Sequence, residues 1–134
     1  MRNLLVPVDG SDRSIEAIET IRELYSPERV NITLILVRED IDSNSSAVLK
    51  KMERDTMPVL DRIAALMPEY KVNKVVRFGI AGNEIIKYAR ESDTEMIVIT
   101  KRTHTAASMF LGSVAIYLVK YSHLPVIVLP ERKG

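Results

Sequence analysis

The sequence predicts a doubly wound α/β fold, with a five-stranded parallel sheet in the expected order 3-2-1-4-5 and helices on both faces. Short apolar runs alternate along the chain with segments whose apolar residues recur every three to four positions. The runs are apolar nearly throughout, as in strands that are covered on both faces. Strict alternation of this kind requires right-handed crossovers and a parallel sheet.

Two strands are predicted in the first part of the chain. The apolar run 4–8 is closed by Asp9-Gly10-Ser11, which predicts a turn in which Ser11 caps the following helix. The run 31–37 is rich in β-branched residues and predicts a second buried strand.

A long amphipathic helix is predicted after the polar residues 42–45, because apolar side chains keep a helical spacing over 49–67. Pro58 lies within this helix. Proline lacks the backbone N–H and its ring clashes with the preceding turn, so we expect a kink or a break near Thr56.

Three more strands and two more helices are predicted in the rest of the chain: strands at 71–78, 96–99 and 125–129, and helices that begin at Gly82-Asn83 and at Gly112-Ser113. Parallel sheets bind ligands beyond the carboxyl ends of their strands, where the strand order reverses. Asp9, Val37, Gly79 and Thr100 lie near those ends.

Composition excludes several classes of function. Lys and Arg total 19 and Asp and Glu total 18, so the net charge of +1 gives no general attraction to nucleic acid or to an acidic membrane. Cysteine is absent, which excludes thiol catalysis and is compatible with the cytoplasm. No apolar run approaches the roughly 20 residues that span a bilayer. We expect one cytoplasmic domain, residues 1–134.

Catalytic motifs are also absent: the sequence has no GxSxG, HExxH or Walker P-loop pattern, and no catalytic or metal-binding set stands out.

The first candidate site is the turn Pro7-Val8-Asp9-Gly10-Ser11. The Asp9 carboxylate can accept hydrogen bonds from a ribose or help to hold a divalent cation, and the helix that follows favours an anion at its amino end. The alternative is a structural turn, in which Asp9 and Ser11 satisfy backbone N–H groups.

Two further candidates lie near the fourth strand and the last helix. At Gly112-Ser113-Val114, a small residue and free N–H groups could bind phosphate, or the segment could only cap the helix. Lys101, Arg102 and His104 could pair with phosphate oxygens, or could be solvated loop charges.

Over essentially its whole length, the chain resembles the universal stress protein family, whose fold is of the adenine nucleotide alpha-hydrolase type. The resemblance is carried by the segments LLVPVDGSDRSIEAI, NITLILV, FGIAGNEIIKYA, DTEMIVIT and LGSVAIYLVKYSHLPVIVLP. It implies an adenosine pocket at Pro7, Val8, Asp9 and Val37, with Val37 against adenine, completed by the segment Gly112, Ser113 and Val114.

The sequence departs from the family pattern G-x2-G-x9-G-[ST], which wraps the phosphates of ATP. Aligned from the fourth strand, Thr100 and Thr103 stand in place of the first two glycines, and eight residues separate Thr103 from Gly112. Aligned back from Gly112, Arg102 and Ile99 stand there. The resemblance therefore implies a degenerate phosphate loop, in which Lys101 and Arg102 offer charge in place of lost amide contacts.

These observations favour a non-enzymatic stress-response or regulatory domain with weak or absent adenine nucleotide binding, homodimeric through the last strand, Pro125 to Leu129. The alternative is an ATP- or AMP-binding switch or slow ATPase, with Mg if ATP is the ligand. A phosphoacceptor receiver-like domain is a remote alternative, because it needs an Asp at the end of the third strand, which ends instead in Phe78-Gly79.

Overall fold

The sheet has five parallel strands in the order β3-β2-β1-β4-β5, which confirms the predicted fold class. A computed structural model describes residues 1–101 and 112–131. The strands are β1 (Arg2–Pro7), β2 (Val30–Arg38), β3 (Lys71–Phe78), β4 (Met96–Thr100) and β5 (Val126–Leu129). The helices are α1 (Asp12–Leu24), α2 (Ser46–Ala64), α3 (Ala81–Glu91) and α4 (Ser113–Tyr121).

Each face of the sheet carries its own apolar core. Leu4 and Val6 pack with α1 and α2, whereas Leu5, between them, packs with α3 and α4. Successive side chains of a strand point to opposite faces, so a central strand that is covered on both faces must be apolar throughout. This explains the unbroken apolar runs that predicted the strands.

Helix α2 is continuous through Pro58, so, of the kink or break expected near Thr56, the break is wrong. Thr56 is buried, and its hydroxyl donates a hydrogen bond to the Met52 carbonyl oxygen at 2.6 Å. The same hydroxyl oxygen accepts a bond from Nη1 of Arg38 at 2.8 Å. These side-chain bonds tie the turn before the proline to the end of β2, and they offset part of the cost of the missing N–H.

The strand order reverses beside β1. From β1 the chain moves outward through β2 and β3, then returns to place β4 and β5 on the other side. The carboxyl ends of β2, β1 and β4 therefore meet at the edge where doubly wound sheets bind ligands. Within residues 1–101 and 112–131, no helix is both long enough and apolar enough to cross a membrane.

Candidate functional site

An open cleft of about 530 Å³, a volume that includes space open to solvent, lies at this edge of the sheet. Its walls come from the ends of β1, β2 and β4 and from the first turns of α1, α3 and α4. The lining residues are Pro7, Val8, Asp9, Arg13, Ser14, Ile35, Val37, Glu39, Ala81, Ile85, Thr100 and Val114.

Asp9 lines the cleft and is held in place by the start of α1. Its Oδ1 atom accepts hydrogen bonds from the Ser11 backbone N–H at 2.9 Å and from the Ser14 hydroxyl at 3.1 Å. The Asp9 N–H in turn donates to the Ser14 hydroxyl oxygen at 3.0 Å. Gly10 permits this tight turn with a φ of +83°, a value that side chains disfavour. The protein thus fixes Oδ1, and within residues 1–101 and 112–131 no hydrogen bond holds Oδ2.

Ser11 occupies the N-cap position of α1, as predicted, but its side chain makes no capping hydrogen bond. Its hydroxyl oxygen is buried and has no hydrogen-bond partner in the described part of the chain. Of the two residues that were expected to satisfy backbone N–H groups in this turn, only Asp9 does so, through Ser11 N. The expected role of the Ser11 side chain is therefore wrong.

Glu39, the residue after β2, supplies a second carboxylate to the lining of the cleft. Its Oε1 atom accepts a hydrogen bond at 2.7 Å from the N–H of Ala81, the first residue of α3. A helix amino terminus carries unpaired N–H groups and a partial positive charge, and both favour a carboxylate there. Glu39 is therefore fixed through one oxygen, although much of its side chain is exposed to solvent.

Arg38, between Val37 and Glu39 in sequence, contacts residues outside the cleft. Its guanidinium binds the Asp40 carboxylate with bonds of 2.8 and 2.6 Å and also contacts Thr56. The hydrogen bonds from Arg38 hold the pKa of the Asp40 carboxyl below its ordinary value. The lining cation of the described cleft is Arg13, whose Nε lies 3.6 Å from Oε1 of Glu131.

Part of the cleft wall is apolar. Ile35 and Ile85 are almost fully buried, and Val37 and Val114 pack against them from β2 and α4. This wall offers apolar contact to a flat ring, and the carboxylates of Asp9 and Glu39 also line the cleft. Apolar walls with a few polar groups are usual in small-molecule sites.

Comparison with known proteins gives the family. A sequence profile of the universal stress protein family matches residues 1–130. The chain belongs to the universal stress protein family. It is 24% identical over 142 residues to the universal stress protein MJ0531 of Methanocaldococcus jannaschii, an alignment that covers 98% of this chain and 84% of that protein.

Solved structures share the fold of this universal stress protein at low sequence identity. The structure of the hypothetical protein MJ0577 superposes with a TM-score of 0.83 and 19% identity, covering 99% of this chain and 98% of that one. A universal stress protein from Arabidopsis thaliana, solved with AMP bound, has a TM-score of 0.68 and 18% identity, covering 98% and 93% of the two chains. Others were solved with dAMP, from Archaeoglobus fulgidus, and with cAMP.

Five of the predicted site residues of this universal stress protein line the cleft together: Pro7, Val8, Asp9, Val37 and Val114. Gly112 and Ser113 lie at the start of α4, and the Gly112 N–H donates to the Lys101 carbonyl oxygen at 2.9 Å. These two and Lys101 are not among the lining residues. Arg102 and His104 lie outside the described residues.

Sequence reasoning missed four polar or backbone contributors to the cleft: Arg13, Ser14, Glu39 and Ala81. A signal for Ser14 was present, because a serine one turn into a helix often bonds back to the preceding loop. Glu39 follows Val37 by two positions and so belongs to the same strand end. Nothing local, however, predicts its bond to Ala81, which is 42 residues away.

Proposed function

We propose that this universal stress protein is a non-enzymatic regulatory domain that binds adenine nucleotides weakly, mainly through the adenosine moiety, in the cleft beside Asp9. The observation that carries the proposal is the fixed Asp9 carboxylate next to an apolar wall, at the reversal of strand order. The family members solved with AMP, dAMP and cAMP support the choice of an adenine nucleotide.

The polar and apolar parts of the cleft suit the two parts of adenosine. The wall formed by Val37, Ile85 and Val114 offers apolar contact to a purine ring. Asp9, at the end of the neighbouring strand β1, offers Oδ2, which no hydrogen bond holds in the described part of the chain, as an acceptor for ribose hydroxyl groups. A carboxylate only accepts hydrogen bonds, and the hydroxyls of a ribose are donors that match it.

In the described part of the cleft, the terminal phosphates of ATP have few groups to bind. Thr100, which replaces a glycine of the family pattern when the pattern is aligned from the fourth strand, lines the cleft with a β-branched side chain. Asp9 and Glu39 would repel polyphosphate, and the lining cation Arg13 already lies near Glu131. These features favour binding in which most of the affinity comes from the adenosine moiety. AMP and ATP should then bind with similar affinity.

Calorimetric titration with AMP and with Mg-ATP tests the proposal. We expect both ligands to bind weakly and within a few-fold of each other. Asp9→Ala removes a charged acceptor, so it should weaken AMP binding by about tenfold. The matched control is Asp93→Ala. This aspartate is exposed and precedes β4, at the amino ends of the strands and away from the cleft.

The result that rejects the proposal is an absence of heat with millimolar AMP, or equal AMP affinity in Asp9→Ala and wild-type protein. Much tighter binding of Mg-ATP than of AMP, with turnover, would instead support an ATP-dependent switch or a slow ATPase.

We also propose that the chain forms a homodimer through the last strand, Pro125 to Leu129, and that residues 1–134 act as one domain in the cytoplasm. Strand β5 is at the edge of the sheet and pairs with β4 on one side. Its residues 126–128 are apolar and only half-buried. An apolar edge strand of this kind favours pairing with another strand.

A further inference from the structure

An ion pair joins the lining of the cleft to the residues that follow the last strand. Nε of Arg13, in the first turn of α1, lies 3.6 Å from Oε1 of Glu131, which follows β5 by two positions. The Arg13 side chain lines the cleft and is only 19% exposed, whereas the Glu131 side chain is 43% exposed and is not among the lining residues. A cation of the cleft is therefore paired with a carboxylate from outside its lining.

The charged groups that line the cleft are mostly acidic. Asp9 and Glu39 are carboxylates, and Arg13 is the one cation among the lining residues that the structure describes. An arginine side chain is not deprotonated in proteins, so Arg13 always offers donors to an anion. A guanidinium binds a phosphate group through paired, charge-assisted hydrogen bonds. Glu131 and a phosphate group that enters the cleft therefore compete for the same donors.

The order of the strands locates Arg13 relative to Asp9. Along this edge of the sheet, Val37 lies near the end of β2, Asp9 follows β1, and β4 and β5 come next. Helix α1 packs against β4, and the Arg13 guanidinium contacts a residue that follows β5. The Arg13 guanidinium therefore lies toward β4 and β5, whereas Val37 lies toward β2.

We propose that the ion pair between Arg13 and Glu131 suppresses the contribution of a 5′-phosphate to nucleotide binding. This inference rests on the proposed function. A nucleoside with its base at Val37 and its ribose at Asp9 carries its 5′ carbon toward Arg13. Because Glu131 already neutralises this cation, a phosphate gains little from it and is repelled by the nearby carboxylates. Glu131 is thus a specificity-determining residue that lets adenosine bind about as well as AMP.

The experiment is calorimetric titration, at low ionic strength, of wild-type protein, Glu131→Gln, Arg13→Gln and the double variant with adenosine and with AMP. Wild-type protein should bind the two ligands within about twofold of each other. Glu131→Gln frees the guanidinium, so it should bind AMP about fivefold more tightly than wild-type protein does, and adenosine equally well. The gain is modest because the pair is partly exposed to solvent, where ion pairs are weak.

The double variant separates a specific contact from a general effect of charge. Arg13→Gln should abolish the gain that Glu131→Gln produces, and should change the AMP affinity of wild-type protein by less than about twofold. A gain that persists in the double variant would overturn the role of Arg13, because the lost negative charge would then act directly on the ligand. The matched control is Glu69→Gln, at an exposed glutamate that pairs with Arg22 outside the cleft lining. It should leave the ratio of AMP to adenosine affinity unchanged.

The remaining outcomes distinguish this inference from the proposed function. Equal affinity of AMP for Glu131→Gln and wild-type protein overturns the role of the ion pair and leaves adenosine binding intact. A clear preference of wild-type protein for AMP over adenosine also overturns it. Failure of wild-type protein to bind either ligand overturns both proposals. Thermal denaturation of each variant confirms that it is folded.

Discussion

Ser14 lies in the first turn of α1, where its hydroxyl both donates to Oδ1 of Asp9 and accepts from the Asp9 N–H. The residue is buried, with 5% of its surface exposed. A buried serine with two bonds to one partner fixes both the backbone and the carboxylate of that partner. At the scale of single residues, the Ser14 hydroxyl therefore determines how the Asp9 carboxylate is oriented.

Replacing Ser14 with alanine should reveal this dependence. Ser14→Ala leaves the Asp9 N–H without its acceptor, so we expect the free energy of unfolding to fall by about 1–2 kcal/mol. AMP affinity should fall several-fold, because the Asp9 carboxylate loses one of its two anchors. Urea denaturation and calorimetry measure the two effects. Ser26→Ala, at an exposed serine after α1, is the control and should change neither. Unchanged values in Ser14→Ala would contradict the positioning role.

The sequence predicted some residues of the cleft and missed others for a physical reason. Asp9 and Val37 were expected at the cleft because they end apolar runs, and the carboxyl ends of parallel strands must meet at one edge. Glu39 and Ala81 were missed because their contact joins two elements that are distant in sequence. Periodicity indicates which face a residue occupies, but it does not indicate which atoms meet between elements.

At the scale of elements, α2 shows how tertiary contacts override a local signal. Pro58 cannot donate to the carbonyl of Arg54, four residues earlier, yet the helix is continuous from Ser46 to Ala64. In the turn that follows the proline, the apolar face of α2 buries Leu60 and Ile63 in the core. The free energy gained by burying these two side chains exceeds the cost of one missing hydrogen bond. Helix propensity, which is a local property, cannot predict that balance.

Pro58→Ala should stabilise the protein, because it restores an N–H donor to the Arg54 carbonyl at a position exposed to solvent. Proline also restricts the unfolded chain, which offsets part of the gain. We expect the free energy of unfolding to rise by about 1–2 kcal/mol in urea denaturation. Glu53→Ala, at an exposed position of the same helix, should change it by less than about 0.5 kcal/mol. A lower stability of Pro58→Ala would show that the proline is required.

At the scale of the whole molecule, the two edges of the sheet differ. The β3 edge carries Lys71, Lys74 and Arg77, whereas every residue of β5 is apolar. Charged side chains on an edge strand oppose pairing with a second sheet, and apolar ones do not. Helix α4, which precedes β5, also exposes about half of Ile116 and of Val119. The asymmetry favours dimerisation at β5.

The proposed dimer can be tested without disturbing the fold, because some backbone groups of β5 do not pair with β4. The carbonyl oxygens of Pro125 and Leu129 accept bonds from Ile97 and Lys101, so these residues direct their polar groups toward β4. Backbone groups alternate in direction along a strand, and those of Val128 therefore point to the free edge. Proline at this position removes an outward donor and keeps the β4 ladder.

Sedimentation velocity at micromolar concentration should give a dimer for the wild-type protein and a monomer for Val128→Pro, because a strand of four residues has few outward hydrogen bonds to lose. Lys71→Ala, at the opposite edge, should remain dimeric. A monomeric wild-type protein would reject the dimer. A dimeric Val128→Pro with wild-type stability would place the interface elsewhere. An antiparallel pair of β5 strands cannot form its full set of hydrogen bonds when one donor from each chain is missing.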